Sequence, residues 1–451
     1  MKYNAIKRFR LKRIIKVNKY KSLLIKSKSK HKNRTNLKRN SINLAAIDNK
    51  VYFFCFPSVN YNSFNTIIKI MILCLISIFY LILNKNNFSF FAIRKKNFNG
   101  RIIKDILEVK INNEFDKMKQ RYYTDSFLKP YLDNINILSH IYHKEIKTLK
   151  ESKNNIHICM CFNDQYIYQI LVSITMTLIN CDKNNTFITY HFLCNPDVKD
   201  STLSILKSII YKYPSNLEMI FYDMGNNFNE QSHERLSQAT YYRLLTPIFL
   251  NIDRLIYLDG DTLILKDLNE MYQLQFNDNY VLGILDILSN GIDHLGINSE
   301  KYINAGVLLL NLEKIRNDNK IYNLLNVTNS KIYLPSRDQT ILNYVLYPKI
   351  GILPSKFGIW NFSDKKDIQI YLSYLRTKLD VNELEESFLN PTIIHTVLCW
   401  PKMWSPSASY NEALTTCRER NNCFCEKYHN LWFYYANKTD YYENISFSFN
   451  E

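Results

Sequence analysis

The chain has 451 residues, of which 46% are hydrophobic and 14% aromatic, enough for two or three domains with a substantial core. Its net charge of +17 is concentrated at one end: residues 1–50 carry 17 Lys/Arg and one acid, whereas the other 401 carry 41 Lys/Arg and 40 acids. A nucleic-acid-binding fold spreads its basic residues over a folded face, so this distribution argues against that class. Residues 1–65 read instead as a solvated, disordered basic tail.

After the tail comes TIIKIMILCLISIFYLILN, Thr66–Asn84, in which Lys69 is the one charge. This run is long enough to cross a bilayer as a helix, with Lys69 snorkelling to the interface. About 65 residues precede it, too many for the n-region of a cleaved signal peptide. The basic flank predicts a cytosolic N-terminus and a translocated C-terminal part. The expected location is therefore a single-pass type II membrane protein, facing the Golgi or ER lumen if the cell is eukaryotic. Residues 85–150 are polar and glycine-poor and read as a stem.

From Ile156 the pattern alternates. IHICMCF reads as a buried strand, YIYQILVSITMTLIN as a helix and FITYHFLC as a strand. STLSILKSIIYKY is a helix capped by Asp200, and LEMIFYDM is a strand. Such alternation predicts right-handed βαβ units and a mainly parallel sheet, in which ligands bind beyond the carboxyl ends of the strands. Three features fall at such ends: Asn163–Tyr166, Asp259–Asp261 and His395. IYLDGDTLIL holds the one D-x-D of the chain and one of its nine glycines. Two carboxylates at this spacing can turn toward one hard cation, Mn²⁺ or Mg²⁺, and such ions bring phosphates. A solvated turn is the alternative for the motif taken alone.

The block ATYYRLLTPIFLNIDRLIYLDGDTLILKDL resembles the central block of glycosyltransferase family 8. Four others follow the family's order: HICMCFNDQYIYQILVSITMTL, KYINAGVLLLNLEKIR, RDQTILN and HTVLCWPKMW. The resemblance covers roughly 155–405 and implies a GT-A fold, a Rossmann-like nucleotide-sugar-binding domain over 151–405 with a mainly parallel mixed sheet. It implies a retaining hexosyltransferase using a UDP-hexose and Mn²⁺, with Mg²⁺ as the alternative, and a carbohydrate or glycoconjugate acceptor. No nucleic-acid partner is expected.

On that resemblance Asp259, Asp261 and His395 hold the metal. Asn163, Asp164 and Tyr166 meet the uridine, and Arg243 the sugar or phosphate. Leu258 precedes the D-x-D and Gly260 is its middle residue, both at the nucleotide sugar. Asn304 and Ala305 touch the sugar, with Gly306 leaving room. Asp286 binds hydroxyls or merely ends a strand, and Lys402 reaches the diphosphate. Gln339 and Asp338 lie beside the reacting carbon, the amide stabilising positive charge in a same-face substitution or Asp338 acting as nucleophile. The chain departs from the family at Asn163, usually Asp, at Leu398, usually Gly, at Met403, usually Pro, and in a Lys402 placed one residue late. A nucleotide-sugar-binding pseudoenzyme is the alternative, as is a tail-driven binder of nucleic acid or anionic membrane. Residues 406–451 form a Cys- and aromatic-rich extension. In a translocated domain Cys417, Cys423 and Cys425 there are expected in disulfides rather than at zinc. Sequons at Asn87, Asn184, Asn326, Asn361, Asn437 and Asn444 fit a lumenal face weakly.

Overall fold

The computed structural model describes residues 42–47, 50–55, 112–142, 154–182, 185–212, 217–231, 238–286, 295–330, 332, 334–360, 373, 381–396, 404 and 424–442. The chain divides into two units, Met1–Arg94 and Lys95–Glu451. In the first, β1 (Ile42–Ile47) and β2 (Lys50–Cys55) pair antiparallel, Ile42 opposite Cys55 and Ile47 opposite Lys50. The β-branched and aromatic residues of INLAAI and KVYFFC favour strand, so this part of the tail is a ladder rather than featureless coil. The apolar run Thr66–Asn84 lies outside the described residues. Among the described residues no helix is long and apolar enough to cross a membrane.

The second unit is built on an eight-stranded mixed sheet. Its strands are β3 (Asn136–Tyr142), β4 (Asn154–Phe162), β5 (Thr186–Cys194), β6 (Leu217–Asp223), β7 (Arg254–Leu258), β9 (Val281–Leu285), β10 (Ile303–Asn311) and β11 (Ile350–Ile352). Their order is β11-β9-β10-β7-β4-β5-β6-β3. The pairs β4–β5, β5–β6, β4–β7 and β9–β11 are parallel, while β3 and β10 run antiparallel to their neighbours. The expected βαβ units are present: the helices Ile167–Asn180 and Asp200–Lys212 link β4 to β5 and β5 to β6. Every residue of β5 is buried, which is why FITYHFLC reads as a continuous apolar strand without alternation. A smaller sheet joins β12 (Ile359–Trp360), β13 (Ile393–His395) and β8 (Thr262–Ile264), with β13 in the middle.

Two apolar layers close the sheet. One face carries Ile158, Met160, Phe162 and Leu258 under the helix Ile167–Asn180. Tyr190 stacks on Phe192 there and Phe192 on Phe221, at 5.2 and 4.9 Å between centroids. Burying each such ring contributes about 1.5–3 kcal/mol. The other face packs Tyr257, Leu308 and Leu310 against Tyr242, Leu245 and Phe249.

Residues 112–142 correct the reading of 85–150 as stem. Residues 112–121 are helical, and Phe115, Met118, Leu128, Leu132 and Ile135 are buried in the second apolar layer. β3 then forms the sheet edge against β6. A polar surface pattern hid this, since a short helix and an edge strand each bury only one side. The extension, too, joins the body. Its helix Phe424–Ala436 packs Trp432 into the first layer, and Asn180 donates to the Tyr435 hydroxyl at 3.0 Å. Cys417 and Cys423 lie outside the described residues, and nothing is placed for the side chain of Cys425.

The sheet interior holds one polar chain that periodicity does not announce. His157 Nδ1 and His191 Nε2 are 3.0 Å apart, and His191 Nδ1 is 3.3 Å from the Tyr222 hydroxyl. Burial pushes the His157 imidazole down to about 4 and His191 well below its ordinary value, so both are neutral at pH 7.

Two features place a site. β4 leads to β5 and β6 on one side and is flanked by β7 on the other, which makes the carboxyl ends of β4 and β7 a topological switch point. The register of β10 against β9 also breaks between Ile303 and Leu308. Asn304, Ala305, Gly306 and Val307 thus leave the β9 ladder, and the first three lie beyond the pairing with β7, which begins at Val307–Leu258. Their main-chain groups are available for other partners.

Candidate active site

At the end of β7, Asp259 donates its backbone N–H to Gly306 O at 2.8 Å, fastening the D-x-D turn to β10. Thr262 caps the turn, its hydroxyl donating to Asp259 O at 2.8 Å. Thr396, just after β13, donates to Asp261 O through its N–H at 3.1 Å and its hydroxyl at 2.8 Å. These bonds bring His395 Nε2 to 3.1 Å from Asp261 Oδ1 and 4.0 Å from Asp259 Oδ2.

Asp259, Asp261 and His395 each offer one ligand atom, all within 4.8 Å of one another. The space they face exists because residue 306 is glycine. A Cβ there would lie 2.2 Å from His395 Cε1 and 2.7 Å from both Asp259 Oδ2 and His395 Nε2. Two carboxylates and an imidazole around such a space fit a first-row divalent cation, Mn²⁺ better than Mg²⁺.

Arg243 is the hub behind this group and is 5% exposed. Its NH2 lies 3.2 Å from Asp259 Oδ1 and its Nε 3.4 Å from Asp338 Oδ2. Nε also donates to Thr240 O at 2.9 Å, and NH1 donates to Ala305 O. The guanidinium lies over the Tyr257 ring, 3.9 Å from its centroid. Burial alone would disfavour its charge, but Tyr257 and the two carboxylates outweigh burial and raise its pKa. Asp338 shows the opposite balance. Burial pushes its carboxyl up to about 6, Arg243 pulls it down and Asp259 pushes it further up.

The third cluster surrounds Gln339. Its Oε1 accepts from Ala305 N at 3.0 Å and Asn304 Nδ2 at 3.2 Å. Its Nε2 donates to Asp286 Oδ2 at 2.8 Å. A backbone N–H can only donate and an ionised carboxylate can only accept, so both ends of the amide are assigned by their partners. Asn304 Oδ1 in turn accepts from Gly306 N at 2.8 Å.

Of the residues expected at the uridine, Asn163 caps the turn Asp164–Tyr166, accepting from Gln165 N at 3.1 Å. Asp164 accepts from Lys199 N at 3.2 Å, and Tyr166 is 46% exposed. They stand at the end of β4, next to β7. The side chain of Leu258 is fully buried in the core, on the face opposite Tyr257, which leaves only its main chain to meet a ligand. Gly260 packs near the helix Ile167–Asn180, where an added Cβ would sit 3.3 Å from Ile170 Cδ1. Lys402, Leu398 and Met403 lie outside the described residues. Trp404 is placed, 6.4 Å from Trp432 between centroids.

Tyr257 escaped the sequence reading. Its hydroxyl donates to Asp259 Oδ1 at 2.8 Å. The signal was the two-residue strand period, which puts Tyr257 and Asp259 on one face.

A D-x-D turn at the switch point of a mixed α/β sheet, with an imidazole completing its carboxylates, is the arrangement expected of a GT-A glycosyltransferase. The model of glycosyl transferase family 8 matches residues 157–395, more than half of the chain. The chain belongs to glycosyltransferase family 8. General stress protein A of Bacillus subtilis (strain 168) is 26% identical over 250 residues, 53% of this chain and 84% of that protein. Glycosyltransferase GlyB of Streptococcus pneumoniae serotype 4 is 27% identical over 162 residues, 36% of this chain and 37% of that protein. Among solved structures, the apo form of the bifunctional glycosyltransferase WbbM superposes with a TM-score of 0.52 at 20% identity. The match covers 65% of this chain and 51% of that one, and it speaks for the fold alone.

Proposed function

We propose that this glycosyltransferase moves a hexose, galactose or glucose, from a UDP-sugar to a glycan or glycoconjugate with retention of configuration. Mn²⁺ is the proposed cofactor, held by Asp259, Asp261 and His395. When bound, it would neutralise charge on the leaving diphosphate. The observation that carries the reading is the fixed amide of Gln339, with Oε1 on the Ala305 side and Nε2 on Asp286. A neutral amide is a poor nucleophile, but its oxygen can stabilise positive charge developing on the anomeric carbon. Asp338, the neighbouring carboxylate, is 7% exposed and 3.4 Å from Arg243 Nε, a position that suits holding the guanidinium better than attacking sugar.

In the proposed step the anomeric carbon–phosphate oxygen bond breaks while the acceptor oxygen bonds on the same face. The acceptor's proton passes to the departing diphosphate. Arg243, fixed by two carboxylates and two carbonyls, supplies positive charge beside them. The test is UDP release across a panel of UDP-sugars with Mn²⁺, with the product anomer read by NMR. An inverted product, or no turnover with any donor, overturns the reading. In the same assay Gln339→Ala is expected to lower turnover by roughly 10²–10³ while UDP affinity stays unchanged. A covalent sugar ester on wild-type Asp338, found by mass spectrometry, would replace this step with a double displacement.

The proposed location is a membrane, as a single-pass type II protein facing the ER or Golgi lumen if the cell is eukaryotic, with Thr66–Asn84 as anchor. It is supported by the apolar run and the charge of the tail. Protease added to intact microsomes should trim the N-terminus and spare the rest. Digestion of the large C-terminal part would sink this topology.

A further inference from the structure

The two carboxylate oxygens of Asp259 have different surroundings. Oδ1 accepts from the Tyr257 hydroxyl at 2.8 Å and from Arg243 NH2 at 3.2 Å. Oδ2 and His395 Nε2 converge on the space beside Gly306, each 2.7 Å from where a Cβ would stand. The main chain of Asp259 is already pinned to Gly306 O at 2.8 Å, so the remaining freedom is rotation of the carboxylate. Arg243 cannot follow such a rotation freely, since Ala305 O, Thr240 O and Asp338 hold it too.

We propose that Tyr257 is a positioning residue for the divalent cation: with Arg243 it keeps Asp259 Oδ1 engaged, so that Oδ2 alone is presented to the metal. Tyr257 is 1% exposed and acts through Asp259. Its ring, under the Arg243 guanidinium at 3.9 Å, aligns both donors with one oxygen. A charge-assisted pair of this kind fixes a ligand's orientation more strongly than neutral bonds do. Loss of such an outer partner typically weakens metal binding 10- to 100-fold. The inference rests on the metal reading proposed above.

Tyr257→Phe keeps the ring and removes the donor. In the full chain, Mn²⁺ titrated in the presence of UDP and followed by the free-ion electron paramagnetic resonance signal should bind about tenfold more weakly than to wild type. Raising Mn²⁺ should restore turnover, and the thermal midpoint should fall by no more than a few degrees. Arg243→Lys, which removes the other donor to Oδ1, should weaken Mn²⁺ binding in the same direction, a second reading should the first variant fold poorly. Unchanged Mn²⁺ affinity in either folded variant overturns the inference and leaves Tyr257 a packing residue. Failure of the wild-type chain to bind Mn²⁺ at all overturns the metal reading itself, and this inference with it.

Discussion

Asp261→Ala is expected to abolish detectable turnover, a loss of at least about 10³-fold, while the fold survives. Bound cations contribute several kcal/mol of charge stabilisation in reactions of this type, and each 1.36 kcal/mol is a factor of ten in rate. The variant removes one of the three converging ligand atoms. It spares the bonds that tie the turn to Thr396, because both end on the Asp261 backbone carbonyl. Thermal unfolding should therefore stay close to wild type while Mn²⁺ binding and UDP release are lost together. Wild-type turnover in a Mn²⁺-supplemented assay would remove Asp261 from the metal group.

Gly306→Ala is expected to be nearly as severe, though the residue has no side chain to lose. The new Cβ would enter within 2.2 Å of the His395 ring and 2.7 Å of Asp259 Oδ2. Real side chains do not tolerate such distances, so the imidazole, the carboxylate or β10 must move. His395 sits in the middle strand of the small sheet and is 2% exposed, which leaves it little room. Displacing reacting groups by about 1 Å costs on the order of 10² in rate, and overpacking costs about 1–3 kcal/mol of stability. Lower turnover, weaker Mn²⁺ binding and a lower melting temperature should appear together. Unchanged Mn²⁺ affinity would mean the cation sits elsewhere.

Much of this site was legible in the residues. The run IHICMCF to LEMIFYDM spelled out β4, β5 and β6 because buried parallel strands are apolar throughout, and the D-x-D stood where β7 must end. What stayed hidden has physical causes. β3 and the helical residues 112–121 bury one side each, so their polar outer side read as stem. The small sheet of β8, β12 and β13 has strands of two or three residues, too short for any period. The pairing of Arg243 with Asp338 joins residues 95 positions apart, and no local pattern encodes it. His157 and His191 sit in β4 and β5 like any strand residue. Only the cross-strand register, His157 opposite Thr189, places the two rings near each other.

The break in the β10 ladder has a consequence for how the site can diversify. Ala305 holds Gln339 through its N–H and Arg243 through its C=O, and Gly306 holds Asp259 through its C=O. These anchors belong to the peptide backbone, so exchanging the side chain at 305 leaves the electrostatic frame standing. Mutational robustness is therefore uneven along three adjacent residues. Position 305 keeps its bonds with any side chain its buried site admits, position 304 can vary only by giving up its side-chain bonds to Gln339 and Gly306, and position 306 has no freedom to vary at all.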